Sequence, residues 1–305
     1  MSFPKKITIA EVAPRDGWQN FKEFIPTEQK IALIKKMIDN GAKNVQITSY
    51  VSPKWVPQMA DADEVTITLL DYVKDHDVTL TATVLNGKGV ERARNLGITN
   101  LDFVISVSSE HNRRNANKTT EEVIADFENI AADCKDLNIT LGTACTFGSP
   151  FGEEISPDMV LNIYKTALKY GIKSIGLADS AGISTPDNIR KTLRALIPQI
   201  GIENISIHLH DTRGMGLANA FVALEEGVTR FDTALGAMGG CPYIPGAKGN
   251  IATEDLIWLA EHMGINTEMG LADTVALSLE MTRQIGANIV SSQAALAAAS
   301  EKCEN

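Results

Sequence analysis

Two histidines stand two residues apart, His208 and His210, inside an apolar run that reads as a β-strand over residues 205–211. Side chains alternate along a strand, so both imidazoles emerge on one face while Ile207 and Leu209 take the other. Two imidazoles converging at a strand end chelate a divalent cation when a carboxylate joins them. Asp16, in Ala13-Pro14-Arg15-Asp16-Gly17 at the end of an earlier strand, can supply that acid. The competing reading is a pair of core histidines hydrogen-bonded to their neighbours. Arg15 lies next to Asp16 and, by the same alternation, projects differently. Its permanently charged fork can hold an oxygen on which negative charge develops, or it can pair with Asp16 or Glu11 at the surface. Cys241 follows two glycines and precedes a proline, in a stretch whose backbone can close over a ligand. A thiol there can carry a proton, although a free cysteine more often serves as a small buried apolar group. Asn250 offers an amide oxygen to a metal or a cap to the helix that begins near Ala252. Trp18, Trp55 and Trp258 read as packing residues.

The elements that must position these groups alternate regularly. Strands are predicted near residues 7–12, 44–50, 79–85, 100–107, 139–146, 174–180, 205–211 and 230–235, with helical patterns between them. Examples are a helix over 27–40 ended by Gly41, and one over 119–137 that opens with a Thr119/Glu122 capping box. Pro157 and Pro186 suit first helical turns behind Ser156 and Thr185 as N-caps. Eight βα repeats, with no G-x-G-x-x-G after the first strand, predict an α/β fold, a (β/α)8 TIM barrel rather than an open dinucleotide-binding sheet. In such a barrel reactive residues gather at the C-terminal ends of strands, where these clusters fall. The Gly- and Pro-rich segment 236–250 is too long for an ordinary connector and has the character of a functional loop. The barrel is expected over residues 1–266. A helical extension, residues 267–305, should pack on the barrel or on a partner subunit, which leaves a homodimer open.

Composition narrows the partners. With 28 Lys and Arg against 38 Asp and Glu, the net charge of −10 offers nucleic acid or an anionic membrane surface no general attraction. The four cysteines lie far apart with no C-x-x-C pair, which argues against a disulfide framework and a thiol-rich zinc site. No apolar stretch reaches the length of a membrane span, and the first residues lack the pattern of a secretory or organelle leader, so a cytoplasmic location is expected.

Four blocks in order resemble the 3-hydroxy-3-methylglutaryl-CoA lyases, within the wider DRE-TIM metallolyase barrels. They are Pro14-Arg15-Asp16-Gly17-Trp18-Gln19-Asn20, the run from Thr48 to Gln58, His208-Leu209-His210-Asp211-Thr212, and Gly239-Gly240-Cys241-Pro242-Tyr243 with Gly246 to Asn250. The resemblance implies Mg2+ or Mn2+ held by Asp16, His208, His210 and Asn250, and an acyl-CoA substrate. It places Arg15 at the enolate of the departing thioester, and Cys241 with His208 in proton transfer. Lys22 matches a lysine near the site entrance, and Gln19, Gln46, Ser49 and Asp179 fall among substrate-binding positions. Metal on the tertiary hydroxyl and carboxylate would then promote carbon–carbon cleavage to acetyl-CoA and a keto acid.

Three positions depart from that pattern. Gln46 stands where the family usually carries Glu, turned into the lumen by alternation with Val45 and Ile47. Gly176 replaces a frequent serine, and Phe21 replaces an acidic residue. Gln cannot carry a proton at neutral pH, and glycine opens space. A related lyase for a citramalyl-type thioester or a bulkier C3 group is therefore an alternative within the class. A barrel inactivated by Gln46 and a zinc hydrolase are alternatives outside it, the hydrolase disfavoured by the absence of a third His or Cys ligand and of a Glu base.

Overall fold

The computed structural model describes residues 3–240 and 248–303. Eight parallel strands close into a barrel in sequence order: β1 (Thr8–Glu11), β2 (Asn44–Ser49), β3 (Thr79–Val84), β4 (Asn100–Ser106), β5 (Asn138–Ala144), β6 (Ile175–Asp179), β7 (Ile205–Leu209) and β8 (Arg230–Thr233). β1 pairs with both β2 and β8, which completes the ring. The helices outside it are α1 (Thr27–Asp39), α2 (Ala62–Tyr72), α3 (Gly87–Leu96), α4 (Ser109–Ala116), α5 (Thr120–Ala131), α6 (Pro157–Leu168), α7 (Pro186–Ile200), α8 (Gly216–Glu225) and α9 (Thr253–His262). Two more follow, α10 (Leu271–Gln284) and α11 (Ser292–Cys303). Among the described residues no helix is long and apolar enough to cross a membrane.

The apolar core is a shell between strands and helices. Residues such as Val45, Leu101, Phe103 and Ile207 point outward and are buried against helix faces such as Leu33 and Ile34 of α1. Local signals set most boundaries. Thr119 caps α5 in a reciprocal capping box with Glu122, and Pro157 and Pro186 occupy first turns. Thr185 accepts the Asn188 N–H, whereas the Ser156 side chain makes no cap bond. α5 ends at Ala131 rather than near 137. Beyond it the chain makes turns that bury Cys134 and Leu137 three residues apart, a spacing that imitates helical periodicity.

Two buried carboxylates join the barrel to its last helices. Glu11 accepts the N–H groups of Ala13 and Leu235 at 2.8 and 3.0 Å and the Thr253 hydroxyl at 2.7 Å. Burial, with the nearby charge of Glu254, pushes its pKa up to about 7 against the pull of those hydrogen bonds. Glu254 in turn accepts from the Gly236 N–H, from Ser278 of α10 and from Ser291 just before α11. α10 packs against α9 and α1, and α11 against α9 and α10.

Candidate active site

After β1 the chain does not continue as a strand. Residues 13–17 wind into one wide turn in which the Gly17 N–H reaches Val12 O at 3.3 Å and the Trp18 N–H reaches Ala13 O at 2.9 Å, each five residues back. Widened turns of this kind are frequent at functional sites because they re-aim side chains. Here Arg15 and Asp16 both line the lumen and bond each other, Arg15 Nη1 to Asp16 Oδ1 at 2.5 Å, instead of projecting apart as strand alternation predicts. Glu11 is not the partner of Arg15, because its oxygens hold the base of this turn.

His208 and His210 share the lumen face, with Ile207 and Leu209 wholly buried on the other. His210 lies just past β7 and forms an isolated antiparallel bridge with Asn250. Hydrogen bonds from Asp211 N to Gly249 O and from Ile251 N to Leu209 O fasten that bridge on both sides. The crossing of the two loop stems demands glycine. At Gly249 a Cβ would lie 2.5 Å from Met238 O, and at Gly239 (φ +121°) it would lie 2.7 Å from Asn250 Nδ2. Asn250 is thus drawn into the site and does not cap α9, whose N-cap is Ala252.

One side-chain atom from each of Asp16, His208 and His210 lies within 4.8 Å of the others. The two Nε2 atoms face each other at 3.1 Å, and Asp16 Oδ2 is 3.5 Å from that of His210 and 4.0 Å from that of His208. Two imidazole nitrogens and one carboxylate oxygen pointing at a common space form a donor set that fits a divalent cation. Asn250 donates to Asp16 Oδ2 at 2.7 Å and to Met238 O at 2.9 Å, while its Oδ1 is buried without a partner among the described residues. Burial alone would raise the Asp16 carboxyl, but the Arg15 guanidinium and the two histidines hold it well below the usual carboxylate range. It is therefore ionised and ready to ligate. Burial likewise opposes charge on His208, yet the Asp232 hydrogen bond at 3.3 Å and the charges of Asp16 and Asp232 outweigh it and raise its pKa.

Gln46 joins this centre to a second carboxylate. Its Oε1 accepts from Arg15 Nε, and its Nε2 donates to Asp102 of β4. Burial and the charge of Asp232 push Asp102 up to about 7, against Gln46, Arg15 and His208, which favour its charged form. Asp102 and Asp232 are functional candidates that reading the sequence missed. The alternation of Leu101, Asp102 and Phe103, and of Phe231 and Asp232, marks both as inward-facing, but not as neighbours across a barrel.

Arg15, Asp16, Gln46, Asp102, His208, His210 and Asp232 line one cavity of about 1120 Å³, which also includes Gln19 and Ser49. Gln19 Nε2 donates to Asp16 Oδ1 at 3.0 Å, and Ser49 Oγ is buried without a partner among the described residues. Three expected site residues, Asn250, Lys22 and Asp179, stand outside the lining. Lys22 is exposed on the segment 21–25, whose backbone the Gln58 side chain clamps at Phe21, Glu23 and Ile25. Asp179 is fully buried and holds the N–H groups of Ile183 and Ser184 at 3.1 and 3.0 Å, shaping the loop after β6. Cys241 lies outside the described residues. Trp18 is packed as expected, but Trp55 is 84% exposed and lines the cavity, so the packing assignment fails for it. The Pro53-Lys54-Trp55 run, flanked by Val51 and Val56, gives no sign that its indole faces solvent.

Residues 6–280 match the family described as HMGL-like. The hydroxymethylglutaryl-CoA lyase of Bacillus subtilis is 36% identical over 288 residues, covering 94% of this chain and 95% of that protein. The (R)-citramalyl-CoA lyase of Chloroflexus aurantiacus is 35% identical over 291 residues, covering 92% and 91%. A solved HMG-CoA lyase structure from Acinetobacter baumannii, in complex with coenzyme A and 3-methylmalate, matches at a TM-score of 0.91 and 35% identity over 96% of each chain.

Proposed function

This chain belongs to the HMGL-like family of carbon–carbon lyases, and from that membership we propose that it cleaves a 3-hydroxyacyl-CoA thioester, aided by Mg2+ or Mn2+ at Asp16, His208 and His210. The observation that supports this most directly is the convergence of those three ligand atoms beside the Arg15 guanidinium in one cavity. 3-Hydroxy-3-methylglutaryl-CoA, giving acetyl-CoA and acetoacetate, is the first substrate to test, with the Bacillus subtilis relative as support. A citramalyl-type thioester is the second, supported by the Chloroflexus relative. Cytoplasmic acyl-CoA chemistry is the setting this implies.

A divalent cation held by this donor set supplies Lewis acidity to a substrate's hydroxyl and carboxylate oxygens. The reaction breaks the C2–C3 bond. Its electron pair passes to the thioester enolate, the hydroxyl oxygen becomes the ketone oxygen, and the hydroxyl proton lost is balanced by a proton delivered to C2. In this reading Arg15 holds the enolate oxygen, and its bonds to Gln46 and Asp16 fix the guanidinium, so little reorganisation is needed as charge develops. With Nε2 turned to the cation position, His208 carries its proton on Nδ1 toward Asp232, an arrangement that fixes the ring and raises its basicity. Proton transfer by His208 is then open only through Nδ1 and Asp232, which leaves Cys241 as the candidate donor to C2. Ligation by Asn250 requires its amide to turn over, since Nδ2 now faces Asp16. Ser49 Oγ and Gln19, which line the cavity, take substrate oxygens in this reading. Lys22 and Asp179 act at most at the entrance and through loop shape.

The test is cleavage by metal-stripped and metal-restored protein. Acetyl-CoA and the matching keto acid should appear by mass spectrometry with Mg2+ or Mn2+ and vanish with chelator. Failure to cleave any 3-hydroxyacyl-CoA under either ion would overturn the proposal.

A further inference from the structure

Barrels of this architecture are ordinarily filled by layers of branched apolar side chains. This lumen is not. β5 and β6 set Gly142 and Gly176 side by side in register, with Val104 opposite Gly142 and Ser206 opposite Gly176. Neither glycine has a positive φ, so no backbone conformation calls for glycine there. What both positions lack is volume. A Cβ on Gly176 would meet Ser206 Oγ at 3.3 Å and then only Gly142 Cα at 3.9 Å, and one on Gly142 would meet Val104 Cγ2 at 3.2 Å. Gly176 and Ser206 lie two residues below Ala178 and His208 on their strands, so the opening starts roughly 7 Å beneath the metal-ligating imidazole.

The space continues downward between polar walls. Thr81, Asn100, Thr140 and Ser206 line it, and so does Arg230, two residues below Asp232 on β8. Arg230 Nε donates to Ile205 O at 3.3 Å, whereas Nη2 is enclosed with no partner among the described residues. The charges of Asp232 and Glu203 act on this guanidinium without bonding Nη2. An unfilled N–H is unfavourable, so an anionic oxygen in the cavity would complete it once the side chain turns toward the lumen.

We infer that the lumen is a substrate subsite: the preferred thioester carries on C3, in place of methyl, a chain that descends past Gly176 and ends in a carboxylate at Arg230. The inference rests on the lyase reading above. A chain of roughly four to six atoms spans the two-residue step from His208 to the level of Arg230. Hydroxyls and amides along the walls suit water beside such a chain better than they suit a bare hydrocarbon.

Three thioesters that differ only at C3 of the 3-hydroxyglutaryl unit test this: methyl, pentyl and 4-carboxybutyl. In the metal-loaded parent protein, kcat/KM should be at least about tenfold higher for carboxybutyl than for methyl or pentyl. Gly176→Val fills the lumen and should reduce the carboxybutyl-to-methyl ratio about tenfold, with Gly176→Ser reducing it less. Arg230→Met should bring carboxybutyl down to the pentyl level, and Arg230→Lys should restore part of the difference. Ratios of two substrates on one enzyme preparation cancel losses in folding or metal loading, so an unstable variant still reports. A preference for methyl that Gly176→Val leaves untouched overturns the subsite while the lyase reading stands. Equal rates for pentyl and carboxybutyl overturn the role of Arg230. Cleavage of none of the three overturns the subsite and leaves the lyase reading to be decided on the citramalyl-type thioester.

Discussion

Gln46 bonds Arg15 on one side and Asp102 on the other, and Gln46→Glu tests both contacts at once. The substitution keeps the acceptor that Arg15 Nε uses but removes the N–H given to Asp102 and sets a second carboxyl group against it. Two like charges at about 4 Å repel by about 4 kcal/mol at an effective dielectric of about 20. That raises the second ionisation of the pair by about 3 pH units. Asp102 already titrates near 7, so the folded variant keeps one proton on the pair up to about pH 10. In the unfolded chain both carboxyls have lost their protons well below neutrality. The folded variant thus binds one proton more than the unfolded chain, and its stability falls with rising pH by about 1.4 kcal/mol per pH unit between about 7 and 10. In the parent protein the sign is the same, because the folded value is raised from 3.8 to about 7, but the loss occurs inside that lower window and then levels off. Urea unfolding of both proteins at pH 7, 8 and 9 should show the variant losing a further 2–3 kcal/mol or so relative to the parent by pH 9, a ceiling because lumen water screens the pair. Adding Asp102→Asn should abolish the divergence. Parallel curves for the parent and Gln46→Glu would refute the account of how this lumen handles charge.

The other expectations concern the site directly. His210→Ala and Asp16→Ala should each abolish bound Mn2+, read by metal analysis, and metal-dependent turnover, while the circular dichroism of the barrel stays unchanged. Retained metal and turnover in both would remove them from the ligand set. Cys241→Ser keeps size and hydrogen bonding but loses an easily ionised thiol, so kcat should fall by about a hundredfold or more with little change in KM. An unaltered kcat would return Cys241 to a structural role. Trp55→Ala removes an exposed ring from the cavity mouth and should raise KM for the thioester about tenfold with Tm unchanged, if the indole stacks on the substrate's base. A drop in Tm with constant KM would mark Trp55 as packing after all.

What was legible in the sequence were the features written in short-range periodicity. The alternation Ile207-His208-Leu209-His210 set both imidazoles on one face, and eight such segments set the barrel. The wide turn at 13–17 escaped that reasoning because a strand pattern runs into it without a break, and only the fold shows Arg15 and Asp16 turned the same way. Asp102 and Asp232 escaped for a different reason: each faces inward by local pattern, but their mutual repulsion arises from β4 and β8 approaching across the lumen. Gln46 shows both limits together. Its orientation followed from Val45 and Ile47, while its partners lie 31 and 56 residues away along the chain.

The Glu254 contacts also carry a consequence for the order in which the protein is made. The Gly236 N–H, at the root of the segment leading to Cys241, is held by a carboxylate that takes its other hydrogen bonds from Ser278 and Ser291. On a ribosome the barrel strands emerge and can pair while residues 278 and 291 are still inside the exit tunnel. Until they arrive, a carboxylate destined for the interior lacks two of its donors, and Gly236 lacks a fully bonded anchor. The Gly236 anchor is therefore completed only after the barrel strands, and a nascent chain stalled before Ser291 would hold those strands without it.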